Sequence, residues 1–272
     1  MLVNSIEILK KAKKKGIGYP APDYFDFDSA KCYVEVAEKL GLPLILSYAQ
    51  VFDSFFPLED AAQIGLYLAK RSLVPVVLHL DHGTTEDYVM KAMDLGFSSV
   101  MLDASTDTFE KNIERTKKIV ELAHERDISV EAEVGHVGSG SLEEDSGVYT
   151  EVQEAKRFEK ETGVDSLAVS IGTAHGVYKK VKPVLNFERL DELNKALDIP
   201  LVLHGGSGTG DENISRCVRG GISKVNVYTE FLLAAADALR SDKDGDLHHM
   251  KAAAKDAVRS VLENYYSICS LL

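Results

Sequence analysis

Three histidines each follow a short apolar run, and this placement can create a metal site. Runs of this length, flanked by Pro or Gly and rich in β-branched residues, are typical of fully buried parallel strands. Side chains just beyond such strands share one cavity, and three imidazoles that meet there form a catalytic zinc site with an open fourth position. The alternative is three unrelated polar residues at strand ends. The runs and their histidines are Val76–Asp81 with His82, Leu167–Ile171 with His175, and Leu201–Leu203 with His204.

A carboxylate stands directly beside the first of these histidines. By the two-residue alternation of a strand, Asp81 and His79 face the same side. A carboxylate next to a metal ligand suits general acid–base chemistry, because a bound cation holds the reacting oxygen within its reach. The alternative role for Asp81 is to orient a ligand histidine. His79 lies deeper in the strand, and we expect it to be a buried histidine and not a ligand.

Two further segments could bind a phosphate group. Gly205-Gly206-Ser207-Gly208 directly follows His204, and Asn226-Val227-Tyr228-Thr229 ends the next strand. Glycines allow a close approach to an anion, and successive N–H groups form an anion-binding concavity. The loops after the seventh and eighth strands are a common phosphate site in βα barrels. The alternative is that both segments are plain turns.

Carboxylates also end the fourth and fifth predicted strands. Asp103 and Glu133 could be additional metal ligands or hydrogen-bond partners of the ligand histidines. Salt bridges inside the barrel mouth are the other interpretation, and for Glu131 we prefer it.

Strand patterns recur along the chain with helical patterns between them. Eight strands that alternate with helices, with no break in composition, predict an α/β fold: one (β/α)8 TIM barrel as a single domain over residues 1–272. The alternative is a doubly wound open sheet. The predicted strands are Gly18–Ala21, Leu44–Tyr48, Val76–Leu80, Ser99–Leu102, Ser129–Glu133, Ser166–Ile171, Leu201–Leu203 and Lys224–Val227.

Helical spacing and loop composition complete the prediction. Apolar residues recur at helical spacing over Phe109–Arg126 and Val152–Thr162, and a final helix is expected at about 248–266. The stretch 135–147 is rich in glycine and contains three consecutive acids, so we expect it to be a mobile acidic lid over the site.

Composition excludes several classes of partner. The 31 basic and 43 acidic residues give a net charge of −12, which argues against nucleic acid but not against a small phosphorylated substrate. Three widely spaced cysteines suggest no disulfide framework. Met1–Lys15 reads as an amphipathic helix and not as a signal peptide, and no 18-residue apolar run exists. We therefore expect a cytoplasmic protein without a membrane partner.

Six segments together resemble the class II, zinc-dependent ketose-bisphosphate aldolases, the family of the fructose- and tagatose-bisphosphate enzymes. The match covers roughly Gly16–Ala234 and is closer to the tagatose branch in the stretch DSLAVSIGTAHG. The segments are LHLDHGTT, SVMLDAS, VEAEVGHVG, SLAVSIGTAHGVYK, LVLHGGSG and KVNVYTE.

The resemblance implies roles for particular residues. Zn²⁺ bound by the three histidines would hold the oxygens of dihydroxyacetone phosphate and stabilise its enediolate, and Asp81 would handle the hydroxyl proton of the cleaved bond. Glu144 on the acidic loop, or else Glu143, would move the proton of the enolising carbon. A monovalent cation such as Na⁺ or K⁺ near the phosphate and a homodimer or homotetramer are also implied. The positions that match the dihydroxyacetone phosphate site are Gly176, Lys179, Gly205, Ser207, Asn226 and Thr229.

The chain departs from the family pattern around the second half of the substrate. Asp23 and Asp26 stand where family members have amides, and Ala49 stands where they have a hydroxyl. Tyr228 replaces an acid of the fructose-bisphosphate enzymes, and Leu232 replaces the Arg or Lys that binds the second phosphate. Burying a phosphate without a cation is costly. We therefore hypothesise an uncharged or apolar aldehyde and a ketose 1-phosphate substrate, unless another basic residue such as Arg259 substitutes.

Several alternatives remain open from the sequence. The substrate could instead be fructose or tagatose 1,6-bisphosphate. The same zinc could activate water in a barrel metallohydrolase, although such sites usually begin with an HxH pair on the first strand, where this chain has no histidine. The chain could also be a non-catalytic partner subunit of another aldolase. Cobalt or iron would fit the same three nitrogens as zinc.

Overall fold

The computed structural model describes residues 1–138, 149–176, 183–241 and 245–270. Within these residues, eight parallel strands form one sheet in the order β1-β8-β7-β6-β5-β4-β3-β2. The strands are β1 Tyr19–Pro22, β2 Leu44–Ala49, β3 Val76–Gly83, β4 Ser99–Leu102, β5 Ser129–Val134, β6 Ser166–Val169, β7 Leu201–Leu203 and β8 Ile222–Val227.

Helices follow the strands and cover the outside of the sheet. Their inner faces are apolar, and the helix between β5 and β6, for example, buries Ala155 and Phe158 under an otherwise charged surface. A short 3₁₀ helix, Gln50–Phe52, lies directly after β2. The helices in the described part of the chain are α1 Ile6–Lys15, α2 Phe27–Leu40, α3 Leu58–Arg71, α4 Glu86–Asp94, α5 Phe109–His124, α6 Val152–Thr162, α7 Phe187–Ala196, α8 Asp211–Arg219, α9 Thr229–Ser241 and α10 Leu247–Ser270.

The sheet closes on itself. β1 pairs with β8 in parallel register, and beyond β1 an isolated bridge joins Asp23 to Ser47 of β2. The Tyr24 amide donates to the Ser47 carbonyl at 2.9 Å, so the two ends of the eight-strand sheet meet. The (β/α)8 TIM barrel predicted from the sequence is confirmed, and the open doubly wound sheet is wrong.

Strand bounds differ from the sequence prediction at three places that matter for the site. β3 runs on to Gly83, so His82 lies within the strand and not beyond it. β6 ends at Val169, two residues earlier than predicted, and His175 lies in the following loop. β8 begins at Ile222, which places Lys224 inside the strand. Polar residues hide the end of β3 and the start of β8 from a reading based on apolar runs alone, whereas the apolar Ile171 extends the run beyond the end of β6.

The core lies between the strands and the helices. The strands are buried along almost their whole length, as parallel strands covered on both faces must be. Cys32, Cys217 and Cys269 are buried free thiols. Of the described helices, none is both long and apolar enough to cross a membrane.

Candidate active site

A cavity of about 680 Å³ opens at the carboxyl ends of the strands. This is the end of a βα barrel at which active sites lie, because the loops after all eight strands meet there. The cavity is lined by His82, His136, His175 and four carboxyl groups, together with glycines and aromatic residues, and His204 lies directly beside His82. The acidic residues are Asp23, Asp81, Asp103 and Glu133.

The three predicted histidines converge. The Nε2 atom of His82 lies 3.2 Å from Nε2 of His175 and 2.8 Å from Nδ1 of His204. His82 has a positive φ of 49°, a conformation that costs a non-glycine residue about 1–3 kcal/mol. The following Gly83 is required, because a Cβ atom there would lie 2.7 Å from the Met101 carbonyl. The strained turn therefore aims the His82 ring into the cavity.

In two of these rings, the nitrogen that points away from the other histidines contacts a carboxylate. Nδ1 of His82 lies 2.8 Å from Asp103, and Nε2 of His204 lies 3.0 Å from Glu131. A carboxylate behind a histidine fixes its tautomer and ring orientation, as is common for metal ligands. Asp103 thus contacts a predicted ligand histidine, which agrees with one of the two roles considered for it from the sequence.

The electrostatics of the site favour positive charge at His82. Burial lowers the pKa of His82, but Asp81 and Asp103 outweigh this effect and raise the pKa to about 10. Burial, reinforced by His82 and His204, lowers the pKa of His175 to about 3, so that ring is neutral. The site therefore attracts a cation: a proton, or a metal ion in its place.

The donor set fits a tetrahedral metal ion such as zinc. One nitrogen from each histidine lies within 4.8 Å of the other two. Zinc–nitrogen bonds of about 2.0–2.1 Å in tetrahedral geometry need nitrogens about 3.3 Å apart, close to the separations found here. Asp103 and Glu133 form a second candidate group with His82.

Asp81 lies next to the histidines on β3. Its Oδ1 atom accepts a hydrogen bond from the Asn226 amide at 2.9 Å, and its side chain is buried. Burial raises the pKa of Asp81, but His82 and His204 outweigh it and hold the pKa below its usual value. Asp81 is therefore an ionised carboxylate with one oxygen fixed, which is suited to accept a proton.

Below the site lies a fully buried charged network that the sequence analysis did not find. The ammonium group of Lys224 lies 2.8 Å and 3.0 Å from the two oxygens of Glu131 and 3.0 Å from Nε2 of His79. Burial and Lys224 lower the pKa of His79 to about 3, so that it is a neutral partner. The preferred interpretation of Glu131 as a salt-bridge residue is confirmed, as is a buried His79. The sequence signal for this buried network was a lysine within the apolar run of β8.

The segments after β7 and β8 contact each other at the cavity wall. Gly205 has a φ of 67°, and a Cβ atom there would lie 2.4 Å from the Ala174 carbonyl in the loop that carries His175. The Ser207 hydroxyl accepts from the Tyr228 amide at 3.2 Å, at the start of α9. A helix N-terminus is suited to bind an anion. Five of the six predicted phosphate-site positions line this cavity: Gly176, Gly205, Ser207, Asn226 and Thr229.

Two further buried carboxyls line the cavity. Burial, reinforced by Asp81, raises the pKa of Asp23 well above its usual value. Burial and Asp103 raise the pKa of Glu133 to about 8, and its Oε1 accepts from the Val137 amide at 2.9 Å. Among the described residues, Oδ1 of Asp23 and Oε2 of Glu133 have no hydrogen-bond partner. Burial therefore favours the neutral form of both acids, and each has a polar atom left for a ligand.

The wall formed by the segment after β2 is aromatic. The rings of Phe52 and Tyr228 lie 4.7 Å apart, centroid to centroid, and Val51 lines the cavity beside them. Across the described lining there is no Lys or Arg side chain. Arg259, the possible substitute for a distal cation, pairs with Glu35 and Asp256 away from this cavity.

Three predicted residues lie outside the described part of the chain. Glu144 and its alternative Glu143 fall in the gap at 139–148, and Lys179 falls in the gap at 177–182. Most of the acidic loop predicted at 135–147 lies in the first of these gaps. The sequence analysis also did not identify Phe52 as a cavity-lining residue. The only signal for it was a run of apolar residues in a loop.

Comparison with known proteins agrees with this geometry. The family model described as "Fructose-bisphosphate aldolase class-II" matches residues 3–271. D-tagatose-1,6-bisphosphate aldolase subunit GatY of Klebsiella oxytoca is 38% identical over an alignment of 276 positions that covers 96% of this chain and 96% of that protein.

Solved structures share the fold. The crystal structure of the YdjI aldolase from Escherichia coli K12 has a TM-score of 0.90 and 32% identity, covering 99% of this chain and 97% of its own. A putative fructose-1,6-bisphosphate aldolase from Coccidioides immitis has a TM-score of 0.88 at 24% identity, covering 98% and 96% of the two chains. The second comparison bears on the fold alone.

Proposed function

This chain belongs to the class II fructose-bisphosphate aldolase family, and from that premise we propose that it reversibly cleaves a ketose 1-phosphate to dihydroxyacetone phosphate and an aldehyde. It is a lyase with a TIM barrel, and its substrate is a phosphorylated sugar. The single observation that carries the proposal is the convergence of His82, His175 and His204 beside the ionised Asp81.

The three histidines hold the metal in this proposal. Family members are generally zinc-dependent, and the donor set of three imidazole nitrogens fits Zn²⁺. When bound, the metal would supply Lewis-acid polarisation of the ketone oxygen. Asp103 and Glu131 keep His82 and His204 in the tautomers that point one free nitrogen each into the cavity.

Asp81 takes the proton in the cleavage direction. Its carboxylate removes the hydroxyl proton of the carbon that becomes the aldehyde, and the electron pair of the breaking carbon–carbon bond moves toward the ketone. Asn226 fixes one oxygen of Asp81 and leaves the other for the substrate. The carbon released as part of dihydroxyacetone phosphate must gain a proton, a role we assign to Glu144.

The phosphate binds beside the segments that follow β7 and β8. The Ser207 hydroxyl and the start of α9 lie there, and we assign Gly176, Lys179, Gly205, Asn226 and Thr229 to the same half of the substrate. A phosphate at a helix N-terminus is bound without a large basic patch, in agreement with the net charge of −12.

The proposed substrate lacks the second phosphate of a 1,6-bisphosphate. The name of the Klebsiella oxytoca relative specifies a 1,6-bisphosphate for that protein. Carboxyl groups and aromatic rings, but no described Lys or Arg, line the wall after β2. A second phosphate at that wall would lie near Asp23 and Asp81 without a cation to offset its charge.

The experiment is a coupled assay of dihydroxyacetone phosphate release by zinc-loaded protein. Fructose and tagatose 1,6-bisphosphates are compared with the matching ketose 1-phosphates, so that only the second phosphate differs. We expect kcat/KM to be higher for the monophosphates. If a bisphosphate is cleaved as efficiently as every monophosphate, the proposed substrate is wrong but the proposed reaction stands. If none of these sugars is cleaved, this chain alone does not catalyse the reaction.

We also propose a homodimer or homotetramer, on the resemblance alone. Sedimentation of the purified chain tests this assembly, and turnover by that same preparation tests the alternative of a non-catalytic partner subunit.

A further inference from the structure

An aromatic row crosses one side of the cavity mouth. The rings of Phe55, Phe52, Tyr228 and Phe25 follow one another with centroid separations of 5.6 Å, 4.7 Å and 6.2 Å. The row joins the segment after β2 to the end of β8 and the end of β1. Phe55 is 63% exposed, and the neighbouring Val51, which lines the cavity, is 76% exposed.

This exposure is unusual for residues at a polar site. Large apolar side chains that cluster at the surface mark a place where an apolar group binds. Phe52 and Tyr228 lie within the cavity wall, while Val51 and Phe55 extend the same surface outward. The row therefore forms a continuous apolar surface from inside the cavity to its mouth.

The order of the strands places this surface at the aldehyde end of the substrate. The proposed phosphate site lies after β7 and β8, and the histidines come from β3 and from the loops after β6 and β7. The rest of the lining comes from the ends of β3 to β5, which supply polar residues such as Thr84, Asp103 and Glu133, and from the ends of β1 and β2, which supply Asp23, Ala49, Gln50, Val51 and Phe52. Asp81, which takes the hydroxyl proton of the carbon that becomes the aldehyde, is the register partner of Ala49 on β2. The aldehyde end of the substrate therefore lies beside the wall formed by the ends of β1 and β2.

We propose that Val51, Phe52 and Tyr228 select an aldehyde with an uncharged, apolar terminal substituent. The inference rests on the proposed function and names the class of its second product. The substituent packs on the aromatic row and releases water from it, so that each buried methylene increases kcat/KM about fourfold. Because this contact is the same in the bound substrate and the transition state, the gain is in KM and not in kcat.

The test uses the condensation direction, with dihydroxyacetone phosphate and a panel of aldehydes. Acetaldehyde, propanal, butanal and pentanal vary only the apolar length, and glyceraldehyde differs from glyceraldehyde 3-phosphate only by the charged terminal phosphate. For the wild-type protein we expect kcat/KM to rise about 60-fold from acetaldehyde to pentanal. We also expect the phosphorylated aldehyde to be used less well than the uncharged one.

Two variants test whether the aldehyde selectivity comes from the wall that contains Val51 and Tyr228. Tyr228→Ala should reduce the gain per methylene to below about twofold, since it removes one ring of the row. Val51→Lys changes an exposed residue and places a cation on the cavity wall. At about 4 Å in water, one ion pair corresponds to about a fivefold change, so the preference for glyceraldehyde 3-phosphate over glyceraldehyde should rise by at least that factor.

Leu73→Lys is the matched control for the second variant. Leu73 is 85% exposed and precedes β3, at the opposite end of the barrel, so the same added charge should leave both aldehyde preferences unchanged. A wild-type kcat/KM that does not rise with aldehyde length, or equal effects of the two lysine variants, overturns the inference. Efficient condensation with such a flat profile leaves the proposed function intact, whereas no condensation with any aldehyde rejects that function and the inference with it.

Discussion

Replacement of Lys224 by methionine should strongly destabilise the barrel. In Lys224→Met, the Glu131 carboxylate stays buried but loses the ammonium group that lies 2.8 Å and 3.0 Å from its two oxygens. At an effective dielectric constant of about 20, unit charges about 3 Å apart attract by about 5 kcal/mol. Breaking one side of a buried pair costs about 3–5 kcal/mol. We expect the free energy of unfolding to fall by about 4 kcal/mol.

The assay is thermal unfolding of metal-free protein, followed by circular dichroism. For a chain of this size, about 4 kcal/mol corresponds to a melting temperature lower by about 8–16 °C. The control is Lys195→Met, which removes an exposed partner of Asp191 and should cost less than about 1 kcal/mol. The double variant Lys224→Met/Glu131→Gln should recover at least half of the loss, because it removes the unpaired charge. Equal melting temperatures for the two single lysine variants would refute this reasoning.

Three other predictions address the site and the surface. Asp81→Asn should lower kcat for dihydroxyacetone phosphate release by about 10²–10⁴-fold with little change in KM, as expected for loss of a general base; a loss below tenfold would contradict this role. Treatment with a chelator should abolish turnover and lower the melting temperature, since a ligand at 1,000 times its Kd stabilises by about 4 kcal/mol; added Zn²⁺ should restore both. Glu86→Gln should lower stability above pH 4.5 by about 1 kcal/mol, because the Arg115 hydrogen bonds lower the pKa of the partly exposed Glu86 to about 2. Since this folded-state pKa is depressed, the difference between wild type and variant should shrink as pH falls from about 4.5 toward 2, as unfolding curves at several pH values would show.

The sequence predicted the barrel because buried parallel strands are read directly from apolar runs. Its errors came where a strand carries polar residues. The end of β3 was placed too early because Asp81 and His82 break the apolar pattern, and the start of β8 was placed too late because Ser223 separates Ile222 from the rest of the run. Both strands carry side chains of the site or of the network beneath it. The chemistry of the site itself thus obscures the local pattern.

Residue types at strand ends were enough to predict that three histidines converge. The sequence could not pair Glu131 with both Lys224 and His204, because these contacts join residues 93 and 73 positions apart. Nor could it show that Phe52 packs on Tyr228, since only closure of the barrel brings the end of β2 beside the end of β8. Tertiary contacts of this kind leave no periodic signal in the chain.

The wide separation of the histidines along the chain has a kinetic consequence. His82 lies 93 residues from His175 and 122 residues from His204, so no short segment contains all three of them. Loops of this length close late in folding, after the strands that carry the rings have paired. A cation that needs all three rings therefore binds after the rate-limiting step, and it slows unfolding without accelerating folding. A newly made chain would complete its barrel first and acquire its metal afterwards, and scarcity of metal would leave folded, inactive protein.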